Sequence, residues 1–283
     1  VEQKAPAWLL EMDALGYRPY IATSERLLPF FNTKPFGRQA DCFLLEDPKH
    51  HAFHEAYLLS NSLSFEKPDI KMPHWVLVDC VLMQTAIVGF MKDVSKIPEP
   101  LLKHYHDDAS VDVSQLQSLP VSGQIASLAA DGKSVVGLSL FSLGPRLGEP
   151  KGLGLYTKAL ALEVYRAAQY EYIYGITQYD NRSLRIHGRF AEKMEIYQPT
   201  VPLHPYKDMT LIYRMSLKYD VYNLDKGPAE KEPTFWLNAQ DKEGKQRIQA
   251  GMTKGKRYII APPFLVKRDG ECFLPIVEED ATK

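Results

Sequence analysis

The 283-residue chain is long enough for one large domain or two modest ones, and 45% hydrophobic content supports a buried core without covalent staples. Lys and Arg number 34 against 35 Asp and Glu, a formal net charge of -1, which argues against a nucleic-acid binder and against an acidic tail. The cysteines, Cys42, Cys80 and Cys272, are far apart and form no Cys-x-x-Cys pair, so neither a disulfide framework nor a metal site is expected.

The most apolar stretch, Trp75 to Met91, is interrupted by Asp79, Gln84 and Thr85, so no membrane span and no membrane partner are expected. The start has no secretory pattern, which predicts a soluble, cytoplasmic protein; Val1 in place of Met leaves room for a removed leader.

In chain order, Trp8 to Leu15, Ser24 to Phe31 and Ala52 to Leu63 have helical spacing and predict N-terminal helices within 1–70. Trp75 to Cys80 and Ala86 to Met91, rich in Val, Ile, Leu and aromatics, predict buried strands. Asp93 to Leu119, with Pro98 and Pro100, reads as a long connection with at most one helical turn. Gln124 to Ala129 and Ser134 to Leu143 predict a hairpin turning at Asp131 and Gly132. A glycine-bearing loop then leads to a helix over Leu155 to Ala168, with Tyr156, Leu160, Val164 and Ala167 on one stripe.

Tyr172 to Thr177 predicts a strand and Arg182 to Lys193 a short helix. Met194 to Tyr197 and Met209 to Leu217 predict further strands, the last strictly alternating. The succession is α, β, β, β, α, β, α, β, β. A charged stretch, Asp220 to Pro233, marks a boundary, giving a main domain over 1–218, with its core at 74–218, and an extension over 219–283. In that extension Thr234 to Leu237, Tyr258 to Ala261, Phe264 to Lys267 and Cys272 to Val277 predict a small β-rich appendage.

The feature that points to chemistry is the segment Leu138 to Leu160, LSLFSLGPRLGEPKGLGLYTKAL, a strand that stops at Pro145 and yields a glycine-bearing loop before a helix. Such a loop turns main-chain N–H groups toward an anion, and the helix dipole adds to the attraction. Gly152 and Gly154 remove side chains where a diphosphate would approach, and Arg146 and Lys151 supply positive charge. The plainer alternative is that these glycines serve only turning and packing. No Gly-Lys-Ser/Thr follows, which excludes a P-loop, and a full GxGxxG with an acidic partner about 20 residues on is missing, which weakens a dinucleotide reading.

The loop resembles that of the GNAT superfamily, in which a strand, Arg/Gln-x-x-Gly-x-Gly/Ala and a helix hold the coenzyme A diphosphate. Lys151-Gly152-Leu153-Gly154 matches the second half, and Glu149 stands where the family has Arg or Gln. Ile87 to Phe90 is similar to the family's earlier strand, and Asp180 to His187 to its Asn-x-x-Ser/Ala-(x)3-Tyr/His motif, with Asp180 in the Asn position. The resemblance covers roughly Trp75 to Leu217.

It implies an α/β fold of the α+β kind, with a mixed, mostly antiparallel central sheet flanked by helices, and an N-acyltransferase that uses acetyl-CoA or another acyl-CoA as co-substrate, without a metal. The acceptor would be an amine of a small molecule or peptide, and a homodimer is compatible with it. Phe141, Ser142 and Leu143, at the splayed strand end, would line the pantetheine arm. Arg146, Gly148, Lys151, Gly152, Leu153, Gly154, Leu155, Tyr156 and Asn181 would bind the cofactor. His187 would protonate the departing thiolate, with Tyr179 beside it. The plainer alternatives are a packing histidine and a helix cap at Asn181. No base is chosen, Asp79 and Glu55 being the nearest candidates.

An acyl carrier protein as donor, or a non-catalytic module on the same fold, remain alternative readings. His50, His51 and His54, and the group His104, His106, Asp107 and Asp108, lack His-Glu-x-x-His and read as surface residues. The tyrosines from Tyr165 to Tyr179 read as core and sheet face, not as a base-stacking platform.

Overall fold

A computed structural model describes residues 5–65, 76–77, 85–148, 152–204, 206–217, 224, 229 and 231–280. The fold is mixed α/β with mostly antiparallel strands flanked by helices, as expected, and the chain forms two compact units, Val1–Tyr170 and Glu171–Lys283.

In the first unit, β1 (Tyr17–Thr23), β2 (Asp41–Leu44), β3 (Thr85–Asp93), β4 (Ser118–Leu128) and β5 (Ser134–Ser142) pair in the order β5-β4-β3-β1-β2. Only β1 and β2 run parallel. Helices α1 (Ala7–Ala14), α2 (His51–Ser64), α3 (Glu99–Asp107), the single turn α4 (Gly144–Leu147) and α5 (Leu153–Ala167) accompany them. β3 and β4 are buried almost throughout because a helix covers each face, which is why their sequences read as near-continuous apolar runs. On one face Phe53, Tyr57 and Leu58 of α2 pack on Tyr20, Ile87, Ile125 and Phe141. The pleat turns the neighbouring Ser122 the other way, where its Oγ meets Thr157 of α5 at 2.6 Å. Between them, a Cβ on Gly123 would stand 2.7 Å from the Tyr20 hydroxyl and 2.9 Å from the rings of Tyr57 and Phe141.

In the second unit, β6 (Tyr172–Gln178), β7 (Met194–Gln198), β8 (Thr210–Ser216), β10 (Lys256–Ile260), β11 (Val266–Arg268) and β12 (Glu271–Asp280) run antiparallel in the order β6-β8-β7-β10-β12-β11. β9 (Phe235–Asn238) also pairs with β12. Helices α6 (Ser183–Arg189) and α7 (Lys242–Met252) complete it. The C-terminal strands therefore continue the unit's sheet through the β7–β10 pair, and the boundary expected at 218/219 falls inside this unit.

Several expectations change. Ser24 to Phe31 holds only a single 3-10 turn, Leu28–Phe30, because Pro29 lies within it, while β1 and β2 had not been read as strands. Of Trp75 to Cys80, only Val76 and Leu77 are described, and both are helical. The connection after Asp93 contains α3, whose Pro100 sits in the first turn, where a missing N–H costs nothing. In the extension, expected to be β-rich, α7 fills the span between the strands expected at Thr234 to Leu237 and Tyr258 to Ala261.

Both glycines of α7 have a packing reason: a Cβ on Gly244 would overlap the capping carboxylate of Asp241, and one on Gly251 would overlap the Tyr258 hydroxyl. Helix propensity alone would make Gly251→Ala stabilising by about 1 kcal/mol. The packing predicts the reverse, a loss of about 1–3 kcal/mol in urea unfolding, recovered only in part when Tyr258→Phe removes the hydroxyl, because two ring carbons would still stand 2.7 and 2.9 Å from the new Cβ.

Candidate functional site

The loop begins where β5 leaves the sheet. Leu143 N–H still donates to the Val121 carbonyl at 2.9 Å, and Ser142 Oγ accepts from Gly144 N–H at 3.2 Å. One turn of helix follows, with Arg146 and Leu147 N–H both donating to the Leu143 carbonyl. Gly148 stops it in the left-handed region, φ 73°, with nothing within 4 Å of a Cβ, so glycine is required here by conformation and not by space.

α5 starts from Gly152, φ 101°, with no side chain capping it. Leu155 and Tyr156 N–H donate back to the Gly152 carbonyl, which leaves the first N–H groups of the helix without intrahelical acceptors. The result is a positively polarised helix end with no side-chain cap among the described residues, framed by two left-handed glycines. One side is walled by Tyr156, whose ring would lie 3.7 Å from a Cβ on Gly152 and which stacks on Trp8 at 5.4 Å and 2°. The first turn is tied to the sheet through Thr157, whose Oγ1 lies 2.7 Å from the Leu153 carbonyl and 2.6 Å from Ser122 Oγ.

The expected cofactor residues divide by what they can offer. Phe141, Leu143 and Leu153 have buried side chains and present only main chain, whereas Ser142, Gly154, Leu155 and Tyr156 are half-buried. Arg146 is exposed, and its Nε donates to the Leu63 carbonyl at 2.9 Å, at the C-terminal end of α2, where a cation is favoured. Lys151 lies outside the described residues, as do Glu149 and Asp79.

The remaining expected residues lie in the second unit. Tyr179 is buried, its hydroxyl donates to the Pro199 carbonyl at 2.7 Å, and burial pushes that hydroxyl above the usual tyrosine range. Asn181 Oδ1 accepts from Ser183 N–H at 2.9 Å, at the start of α6. His187 is buried, its ring 5.5 Å from that of Tyr213. Glu55, the other candidate base, is half-buried on α2 and 3.5 Å from His51.

The histidine clusters do not share one environment. His104, His106 and His51 are exposed as expected, but His54 is buried, and desolvation lowers it to about 4. Among the described residues, no group of three His, Cys, Asp or Glu could hold a metal ion, and no helix is long and apolar enough to cross a membrane.

Sequence reasoning missed Lys158. It is 1% exposed on α5, one turn after Gly154, and burial drives its ammonium down to about 7. The signal was present: Lys158 shares a face with Ala161, Leu162 and Tyr165, so α5 is buried beyond the stripe through Leu160 and Val164. Because its folded pKa lies below the unfolded value of 10.5, the unfolded chain binds the extra proton between about pH 7 and 10.5, and this residue makes stability rise with pH across that window. Lys158→Met should therefore raise stability at pH 7 by about 1–3 kcal/mol, a gain that shrinks toward pH 10 in urea unfolding curves.

No protein-family model matches the chain, and no curated protein matches its sequence. Among solved structures, the chain is similar to a Desulfovibrio desulfuricans protein assigned as an acetyltransferase of the GNAT family, at 15% identity and TM-score 0.38, over 60% of this chain and 94% of that one. The structural neighbours are GNAT acetyltransferases. An acetyltransferase from Streptococcus agalactiae is similar at 14% identity and TM-score 0.36, over 60% and 94% of the two chains. Nourseothricin acetyltransferase is similar at 10% identity and TM-score 0.30, over 47% and 65%.

Proposed function

We propose that this chain is an N-acyltransferase that takes an acetyl or other acyl group from acyl-CoA and passes it directly to an amine of a small molecule or peptide. The observation that carries the reading is the open N-terminus of α5, begun by a left-handed glycine and left without a side-chain cap, directly after a strand and a turn. Its N–H groups and dipole suit the donor's diphosphate, with Gly148, Gly152 and Gly154 keeping the approach clear and Arg146 and Lys151 adding charge. The main chain of Phe141 to Leu143 is proposed to run beside the pantetheine arm, and Asn181 to fix the start of α6.

In the proposed reaction the neutral amine attacks the thioester carbonyl, the C–N bond forms, and the tetrahedral intermediate breaks its C–S bond. The nitrogen loses a proton and the thiolate gains one, the role proposed for His187. Tyr179, whose hydroxyl already donates to Pro199, serves by shaping the end of β6. The compartment proposed is the cytoplasm.

Acetyl-CoA at a hundredfold excess over Kd should stabilise the protein by about 2.7 kcal/mol and raise Tm accordingly. Gly154→Glu sharpens the test, since a carboxylate in the first turn improves helix propensity and complements the dipole, yet it repels a diphosphate. Unfolding without ligand should be unchanged or slightly harder, while the acetyl-CoA shift disappears. The absence of a shift with acetyl-, butyryl- and palmitoyl-CoA for the unaltered protein would refute the reading.

A further inference from the structure

The second unit contains a cavity of about 590 Å³ whose charged lining the acyl-transfer reading does not use, although Tyr179 in its wall figures in both. Tyr179, Asp180, Arg182 and Arg185 contribute from the end of β6 and from α6, and Lys267 and Glu271 from the β11–β12 hairpin. The extension thus supplies part of the lining.

Its charges are unevenly satisfied. The Glu271 carboxylate accepts from Asn238 Nδ2 at 3.1 Å. Arg182 and Lys267 are exposed, and their side chains make no hydrogen bond or ion pair among the described residues. Three cationic side chains therefore face two carboxylates, one of which is already engaged. The ammonium of the buried Lys245 lies 4.9 Å over the Tyr179 ring, donates to the carbonyls of Asp208 and Ala239, and is balanced by the nearby carboxylates of Asp208 and Asp241, so it adds nothing to this excess.

Part of the lining, the Arg185 guanidinium and the main chain beside it, is also held in place. Arg185 donates through Nε at 3.1 Å and Nη2 at 2.8 Å to the Leu265 carbonyl, which fixes the guanidinium and leaves Nη1 for another acceptor. Leu265 follows Phe264, held at φ 65° with its ring against Gly188, where any Cβ would collide with it. The hairpin bearing Lys267 and Glu271 turns through Asp269 and Gly270, both left-handed, at φ 50° and 86°. Donors fixed before binding lose little freedom when an acceptor arrives, and guanidinium groups suit carboxylate and phosphate oxygens.

We propose that this cavity is a binding site for a small anion, carrying carboxylate or phosphate groups, held by Arg182, Arg185 and Lys267. The site does not rest on the acyltransferase reading, and its test is made without coenzyme A.

Isothermal titration of the full chain with glutarate, with inorganic phosphate and with the neutral control glutaramide should give a saturable signal for at least one anion and none for the control. Tighter glutarate binding would assign a carboxylate ligand, and tighter phosphate binding a phosphoryl one. The double variant Arg182→Gln, Lys267→Gln should weaken that binding by about tenfold or more, roughly 1.4 kcal/mol, with unchanged urea unfolding. Arg26→Gln, Lys34→Gln, which removes two exposed cations of the first unit, should leave it unaltered. Failure of both anions to saturate, equal binding by all three proteins, or displacement of the anion by added coenzyme A would overturn the assignment.

Discussion

Ser122 is the point on which the first unit turns. Its carbonyl accepts from the Tyr20 hydroxyl at 2.9 Å, while its own Oγ accepts from Phe90 N–H at 3.3 Å and meets Thr157 of α5. One residue of β4 therefore joins β1, β3 and α5, and the adjacent Gly123 makes this possible by letting Tyr20, Tyr57 and Phe141 close over the strand. The direction in which the first turn of α5 points depends on that junction, because Thr157 Oγ1 also reaches the Leu153 carbonyl. A helix end that is to hold an anion must be fixed against a rigid sheet, and here the fixing is done by two hydroxyls buried between them.

Such a core carries a cost. Asn61 Oδ1, Thr85 Oγ1, Gln124 Oε1 and His54 Nε2 are buried without a hydrogen bond among the described residues, and Lys158 adds a buried amine. Each group of this kind costs about 1–3 kcal/mol, which must be offset by the apolar surface that α2 and α5 bury on the two faces. All of them belong to the first unit, whose β3 and β4 are covered on both sides. The second unit handles its buried cation differently, surrounding Lys245 with two carbonyls and an aromatic ring.

Those differences explain what the sequence made legible. The hairpin of β4 and β5 and the strand, loop and helix that follow were readable because a local signal marks each: apolar runs, Asp131 and Gly132 at the turn, glycines at the loop. α7 was not, since Gly244 and Gly251 argue against a helix locally and are explained only by Asp241 and by Tyr258 on the next strand. β1 carries Arg18 and Pro19 and is recognisable as a strand only once its pairing with β3 is known. In the site, the presence of a glycine-bearing turn before the helix was foreseeable, though Gly154 falls inside α5, but the commitments of Arg146 to Leu63 and of Tyr179 to Pro199 join residues 83 and 20 positions apart and left no local trace.

The way this chain begins its helical segments bears on what the α5 end is for. The turns at Pro48–His50, Val94–Lys96 and Val113–Gln115 are capped by Asp47, Asp93 and Asp112, and α7 by Asp241. α2 continues directly from the first of these, and α3 starts behind Pro98. α5, at 15 residues the longest helix described, has instead a left-handed glycine in the capping position. An aspartate there would accept from a first-turn N–H group and add about 1 kcal/mol, a gain this chain takes at four helical starts and forgoes at α1, α4 and α6 as well as at α5. A carboxylate would also occupy and repel the space in which an anion could dock. A left-handed glycine at the start of the longest described helix forgoes that stability, and the proposed anionic donor at its first turn would be a physical reason for doing so.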